Sequence, residues 1–290
     1  MNDQADELRQ LALRSGWTRT TATAPEARLV VVASGKAGQG ATTAAANLAA
    51  SLARGGQRTL LVDADLNKPD ASTLCRAVEG GTLPDVLAGR RTIHEALQLG
   101  PGGIQLLPGR LAARPLPACT PLAQQRLLAG LRTFGAHVDC VVLDVGAGLD
   151  DATGRYWQAA DAVLVVLSPE PSAVMETYAT IKLFSERTSG QVLTLVNRAS
   201  DEAAAQDIHD RLARSCQRFL GFDTPLAGWL PPDAALPAAS ADQCVLAADR
   251  TAPQLSRAFD AIAVATEAAL RAGRRRDPEF TPVRRRPQAA

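Results

Sequence analysis

Aromatic residues are scarce in this chain, at 4% of its 290 residues. Hydrophobic residues nevertheless make up 46% and charged residues 21%, so a sizeable buried core is expected and bulk disorder is not. With so few large rings, the core must consist mainly of Ala, Leu and Val. Such residues suit helices packed on a parallel sheet.

Net charge is also nearly absent, at +1 at pH 7, so no global field recruits nucleic acid or an anionic membrane. No specific nucleic-acid partner is therefore predicted. The exception is local, because arginines far outnumber acidic residues between positions 271 and 286.

Cysteine motifs and long apolar runs are missing too. The five cysteines are odd in number, far apart and without a CxxC pair, which is typical of reduced thiols in a cytosolic protein. No apolar run approaches the roughly 18 residues of a transmembrane helix, and no signal-peptide pattern opens the chain. We therefore expect a soluble, cytoplasmic protein.

Short apolar runs alternate with helical stretches through most of the chain. The strand-like runs are LVVVAS, TLLVDAD, VDCVVLDVGAG, DAVLVVLSPEP and QVLTLVNR. This alternation predicts an α/β fold with a doubly wound, mostly parallel sheet. Ligands of such sheets bind at the carboxyl ends of the strands.

The predicted organisation is a single domain with extensions at both ends. The domain covers residues 28–273 and shows neither an internal repeat nor a second domain. Residues 1–13 are predicted to form a short amphipathic helix, and the polar, Thr-rich residues 14–27 a linker. Residues 274–290 are predicted to be a basic, disordered tail.

A glycine-rich turn, GKAGQG, joins the first predicted strand to an Ala-rich helix. Glycines let a backbone wrap closely around phosphate, and the N–H groups at a helix N-terminus attract the anion. A hydroxyl at Thr42 suits Mg²⁺. The candidate cofactor-binding residues are Gly35, Lys36, Gly38, Gly40, Ala41, Thr42 and Thr43.

The spacing of this turn matches the P-loop pattern GxxxxGK[ST] except at the lysine position, which is Ala41. A charge-assisted contact to phosphate contributes roughly 1.5–3 kcal/mol, so nucleotide affinity is expected to fall by ~10–100-fold. Weak or absent ATP hydrolysis is the corresponding expectation. The alternative is that the loop no longer binds phosphate and has only a structural role in the fold.

Three carboxylates also follow predicted strands. Asp63 and Asp65 end the second apolar run, and Asp144 ends a later one. Carboxylates at such positions hold Mg²⁺ and orient an attacking water. Each alone is equally consistent with a helix cap or a turn, but three at matching strand ends favour a metal-nucleotide site.

These motifs resemble the MinD/ParA family, P-loop NTPases of the SIMIBI class whose deviant Walker A motif reads KGGxGK[ST]. The resemblance implies that Lys36 is the signature lysine, which contacts the partner's phosphates in an ATP-dependent homodimer. It also implies catalytic roles for Asp65, Lys36 and Asp144, with Asp65 orienting water. The implied ligands of Mg²⁺ are Thr42, Asp63 and Asp144, and the implied contacts to the base of ATP or ADP are Asn197, Arg198 and Pro231.

Within this family, the N-terminal DQADELRQL is similar to a segment of the flagellar-number regulators called FlhG, FleN or YlxH. The resemblance implies that this segment docks on FlhF, a GTPase of the signal-recognition-particle type, and stimulates hydrolysis. Gln4 matches the residue implicated, and Asp3, Leu8 and Arg9 are assigned to the same contact. Further implied partners are a flagellar transcriptional activator or basal-body switch proteins.

Other interpretations remain open on the sequence. The chain is either a switch that binds ATP weakly or not at all, or an active MinD/ParA-type positioning ATPase in which Lys36 and Asp65 compensate for Ala41. A third candidate is an ATPase-like accessory protein of polysaccharide (cellulose) secretion, since such proteins also lack the lysine. The apolar face of the C-terminal helix fits either weak contact with the inner membrane, including at a cell pole, or packing on the domain.

Overall fold

The computed structural model describes residues 25–109, 120–233, 235–236, 243–249 and 252–273. The predicted N-terminal helix (1–13), most of the predicted linker and the predicted tail (274–290) lie outside the described residues. The partner-contact candidates Asp3, Gln4, Leu8 and Arg9 therefore have no structural description.

Eight strands form one sheet in the order β3-β4-β2-β5-β1-β6-β7-β8. All neighbouring pairs are parallel except the edge pair of β3 and β4, which is antiparallel. The strands are β1 (Arg28–Ser34), β2 (Thr59–Asp63), β3 (Gln98–Leu99), β4 (Gln105–Leu107), β5 (Cys140–Gly146), β6 (Ala162–Leu167), β7 (Gln191–Asn197) and β8 (Leu226–Leu230).

Helices lie on both faces of this sheet. They are α1 (Ala41–Arg54), α2 (Asp70–Leu74), α3 (Leu83–Leu87), α4 (Ile93–Ala96), α5 (Pro121–Thr133), α6 (Asp151–Ala159), α7 (Pro171–Ser185), α8 (Glu202–Leu220), α9 (Leu246–Asp249) and α10 (Pro253–Gly273), with 3₁₀ turns at Pro101–Gly103 and Phe134–Ala136. The prediction of a doubly wound, mostly parallel α/β sheet is confirmed.

The sheet separates two apolar cores because successive side chains of a strand point to opposite faces. In β1, Val30 and Val32 join the core under α1 and α10, while Leu29 and Val31 join the core under α5 to α8. Ala, Leu and Val dominate both cores, as the scarcity of aromatic residues predicts. The small side chains of α1 let this helix lie close to the centre of the sheet.

The C-terminal helix α10 directs its apolar face into the domain. Leu255, Phe259, Ile262 and Leu270 are all buried, and the helix packs on α1, β7 and β8. Of the two interpretations open from the sequence, packing on the domain accounts for this face. Within the described residues, no helix is long and apolar enough to cross a membrane.

Candidate functional site

The glycine-rich loop leaves β1 at the centre of the sheet and enters the N-terminus of α1. Gly38 and Gly40 have φ of 83° and 93°, in the left-handed region that glycine adopts without a steric penalty. A Cβ atom on Gly35 would lie 2.4 Å from the backbone nitrogen of Thr177. The loop therefore rests directly on α7, and Gly35 permits that contact.

The N-terminus of α1 is uncapped by any side chain. The first intrahelical bond is donated by Ala44 to the carbonyl of Gly40, so the N–H groups of Ala41, Thr42 and Thr43 have no partner within the helix. These N–H groups and the helix dipole together create the anion-binding geometry that a P-loop provides. Ala41 itself is 5% exposed and contributes a methyl group where other P-loops carry a cation.

Asp63 and Asp144 are paired in register on the neighbouring strands β2 and β5, and both are completely buried. Oδ2 of Asp63 accepts hydrogen bonds from the backbone N–H (2.8 Å) and the hydroxyl of Ser72. Among the described residues, neither the other oxygen of Asp63, Oδ1, nor Oδ2 of Asp144 has a hydrogen-bond partner. Two buried acceptor oxygens thus lack a donor at the carboxyl ends of adjacent strands.

The charge state of this pair follows from its burial. Burial, reinforced by the negative charge of Asp144, raises the pKa of Asp63 to about 8. Burial likewise raises the pKa of Asp144 to about 7, against the opposing effect of a hydrogen bond from the Thr42 side chain. Two such carboxylates cannot both ionise cheaply unless a cation joins them. A divalent cation fits both the geometry and the charge of this donor set.

Asp65 lies beyond the end of β2 and points toward Gly146 at the end of β5. Oδ1 of Asp65 accepts the backbone N–H groups of Asn67 (3.1 Å) and Lys68 (3.0 Å). A Cβ atom on Gly146 would lie 2.2 Å from Oδ2 of Asp65, and the φ of 62° at this position also favours glycine. Partial burial raises the pKa of Asp65. The structure thus brings Asp65 to the same sheet edge as Asp63 and Asp144.

Asn197 and Arg198, at the end of β7, lie against the backbone of the loop. The amide nitrogen of Asn197 donates to the carbonyl of Gln39 (2.8 Å), and a guanidinium nitrogen of Arg198 lies 3.3 Å from the carbonyl of Gly38. Oδ1 of Asn197 is buried without a partner. Pro231 follows β8 directly and is half-buried. The amide donor of Asn197 is thus engaged by the loop, whereas its oxygen is not.

Lys36 lies on the exposed side of the loop. Its ammonium is 3.4 Å from the hydroxyl of Ser172 and 3.8 Å from a carboxylate oxygen of Glu170, both at the start of α7. Glu170 and Ser72 were not among the sequence candidates. The signal available for Glu170 was its place three residues after the end of β6, and Ser72 carried no signal because its contact with Asp63 depends on the fold.

Comparisons with known proteins agree with this geometry. A family model described as an AAA domain matches residues 27–193, which is more than half of the chain. The antiactivator FleN of Pseudomonas aeruginosa is 29% identical over 237 residues, covering 81% of this chain and 85% of that protein. The septum site-determining protein MinD of Synechocystis is 32% identical over 217 residues, covering 71% and 76%.

The chain belongs to the MinD/ParA-type family of P-loop ATPases. Among solved structures, MinD of Pyrococcus horikoshii complexed with Mg-ADP superposes with a TM-score of 0.68 at 23% identity. The match covers 85% of this chain and 98% of that one. The similarity to FleN places this MinD/ParA-type chain close to the flagellar-number regulators that its N-terminal segment resembles.

The family implies a bound nucleotide and Mg²⁺, and most of the site fits them. The uncapped start of α1 and the left-handed glycines suit a polyphosphate. The oxygens of Asp63 and Asp144 that lack a donor suit a divalent cation such as Mg²⁺, which binds oxygen ligands. Two residues of this MinD/ParA-type site depart from the pattern KGGxGK[ST]: Ala37 stands at a glycine position, and Ala41 stands at a lysine position and so supplies no charge.

Proposed function

We propose that the chain is a nucleotide switch of the FlhG type that regulates the number and placement of flagella. The observation that carries this proposal is the convergence of the glycine-rich loop with Asp63, Asp65 and Asp144 at one edge of the sheet. Similarity to the antiactivator FleN selects the flagellar branch of the family. The resemblance of residues 3–11 to the GTPase-stimulating segment of that branch supports it further.

In this proposal, the backbone of the loop and the first N–H groups of α1 bind the phosphates of ATP or ADP. Thr42, Asp63 and Asp144 hold Mg²⁺, which supplies charge neutralisation at the phosphates. Asp65 accepts a proton from, or orients, the water that attacks the terminal phosphate. Asn197, Arg198 and Pro231 border the base, with the free Oδ1 of Asn197 available to accept a hydrogen bond from it.

A second copy of the chain is the proposed partner across the nucleotide edge. Lys36 is half-exposed at this edge, and its contacts with the described residues Ser172 and Glu170 are long, so its side chain can reach a neighbour. Leu149, directly after Gly148, and Met175, on the helix that supports Gly35, are large apolar side chains exposed by 54% and 69%. Exposed apolar groups on both sides of the loop suit a nucleotide-dependent homodimer.

Residue 25 leads into the amino end of β1, where the N–H of Ala27 donates to the carbonyl of Arg132. A FlhF-type GTPase is the proposed partner of residues 1–13. A flagellar transcriptional activator, basal-body switch proteins and a peripheral position at the inner membrane or cell pole belong to the same proposal.

The GTPase role is tested by adding the purified chain to a FlhF-type GTPase and measuring phosphate release. Gln4→Ala is expected to abolish the stimulation, because a glutamine amide helps to arrange the catalytic water in GTPases. Gln10→Ala is the matched control, since it removes the same group from the same segment. Stimulation that survives Gln4→Ala would overturn the assignment, and an equal loss with Gln10→Ala would show that the effect is not specific to Gln4.

An active MinD/ParA-type ATPase is the second candidate, favoured by the presence of Lys36, Asp65 and Asp144. Steady-state ATP hydrolysis by the unaltered chain and by Ala41→Lys separates the two. A switch with a weakened site predicts affinity for Mg-ATP that rises by ~10–100-fold in Ala41→Lys. Equally tight binding and equal, measurable hydrolysis would instead show that the chain is an active enzyme without the usual lysine.

A further inference from the structure

We propose that Arg198 supplies the loop cation that Ala41 does not, and that Glu170 holds this cation until a nucleotide polyphosphate displaces the carboxylate. The inference rests on the proposed nucleotide binding and deepens it. It assigns to Arg198 a phosphate contact within its own subunit, in addition to its place near the base. It also assigns to Glu170 the part of an internal competitor of the nucleotide.

The side chain of Arg198 already lies against the phosphate loop. Its guanidinium lies 3.3 Å from the carbonyl of Gly38 and 3.6 Å from the carboxylate of Glu170. The carboxylate of Glu170 is also 3.8 Å from the ammonium of Lys36. It therefore lies between Lys36 of the phosphate loop and Arg198 beside that loop. A single negative group bridging two cations marks a position that a more highly charged anion can take.

The backbone of Arg198 is held in an unusual conformation that directs the side chain to the loop. Its φ of 63° lies in the left-handed region, which a residue with a Cβ adopts at a cost. The flanking contacts enforce this turn: Asn197 donates to the carbonyl of Gln39, and the N–H of Ala199 donates to the carbonyl of Leu230. The fold thus fixes Arg198 beside the loop before any ligand arrives.

The ion pairs of Glu170 are weak enough to be exchanged. The side chains of Arg198 and Glu170 are exposed by 44% and 53%, and their closest charged atoms are beyond ordinary hydrogen-bond distance. Exposed pairs of this kind contribute little because water screens them. A phosphate group carries more charge than a carboxylate and can accept two parallel hydrogen bonds from the planar guanidinium. It therefore displaces Glu170 from Arg198.

The test is calorimetric titration of the full chain with Mg-ADP and, separately, with AMP. Arg198→Asn removes the cation, and Asn tolerates the left-handed backbone better than other residues with a Cβ. We expect about 10-fold weaker binding of Mg-ADP, little change for AMP, and a smaller dependence on salt concentration than in the unaltered chain. Arg271→Asn, which removes an exposed arginine paired with Glu267, is the matched control.

Two further variants give effects of defined sign. Glu170→Gln removes the competing carboxylate and is expected to tighten Mg-ADP binding, with a smaller effect when Arg198→Asn is also present. Ala41→Lys in the Arg198→Asn chain is expected to restore most of the lost affinity.

The outcomes separate this inference from the function on which it rests. If the unaltered chain and Ala41→Lys both fail to bind Mg-ADP, the proposed nucleotide binding is refuted. If the unaltered chain binds Mg-ADP and Arg198→Asn binds it equally well, only the role of Arg198 is refuted. An equal loss of Mg-ADP and AMP affinity would show that Arg198 acts on the base or on loop structure, which also contradicts the proposal.

Discussion

Replacing Asp63 by Asn isolates the electrostatic cost of the buried carboxylate pair. In the unaltered protein, Oδ2 of Asp63 accepts two hydrogen bonds from Ser72, and Oδ1 is buried without a donor. Asn keeps the shape of the side chain and an oxygen to face Ser72, but it carries no charge at any pH. The variant therefore mimics the protonated state of Asp63 permanently.

The magnitude follows from the pKa of Asp63, which burial and Asp144 raise from 3.8 to about 8. Because the folded state holds this proton more tightly than the unfolded state, stability falls as the pH rises from the unfolded pKa toward the folded one. Between about pH 5 and about pH 7, the folded state binds close to one proton more than the unfolded state at Asp63. The free energy of unfolding therefore falls by about 1.4 kcal/mol per pH unit. Above the folded pKa, this contribution becomes constant.

Urea unfolding with EDTA present, at about pH 5.5 and about pH 7.5, measures the effect. From the lower to the higher pH, the free energy of unfolding of Asp63→Asn is expected to rise by about 3 kcal/mol relative to that of the unaltered chain. The reason is that the variant lacks the titrating group. Adding Mg²⁺ with ADP is expected to reduce the difference, because a cation stabilises the ionised pair. Parallel pH profiles for the two chains would refute the raised pKa of Asp63 and the account of the buried pair that rests on it.

Two structural predictions concern the supports of the site. Gly35→Ala places a Cβ atom 2.4 Å from the backbone of Thr177, so the loop must lift from α7; we expect lower thermal stability and loss of Mg-ADP binding, and unchanged binding would contradict this loop geometry. Phe259→Ala, in the buried face of α10, is expected to cost about 3–5 kcal/mol in urea unfolding while leaving vesicle sedimentation unchanged. A loss of vesicle binding without loss of stability would show that this face serves a membrane instead.

The central strands were predictable because β1, β5, β6 and β7 are buried on both faces and therefore appear as continuous apolar runs. The strands at the two ends of the sheet escaped prediction for physical reasons. β3 has two residues and an exposed Leu99, and β8 is only partly buried and contains Gly228. Neither gives a run that differs from a loop in composition.

The site was predictable to the extent that parallel strands end together. The alignment of Asp63 with Asp144 follows from neighbouring positions of β2 and β5, once the sheet is known to be parallel. The contact of Asn197 with Gln39, which are 158 residues apart, and those of Glu170 with Lys36 and Arg198 depend on how the loops pack, which local sequence pattern does not encode. The missing charge at Ala41 was evident from the sequence, because the P-loop pattern places a lysine at this position.

The most direct test of the central claim is calorimetric titration of the full chain with ADP, with and without Mg²⁺, beside the same titration of Asp144→Asn. A magnesium-nucleotide pocket predicts saturable binding of one ADP per chain, strengthened by Mg²⁺ in the unaltered protein and insensitive to Mg²⁺ in Asp144→Asn. Absence of saturable binding in both the unaltered chain and Ala41→Lys, or equal strengthening by Mg²⁺ in Asp144→Asn, would contradict the claim that these groups form one functional site.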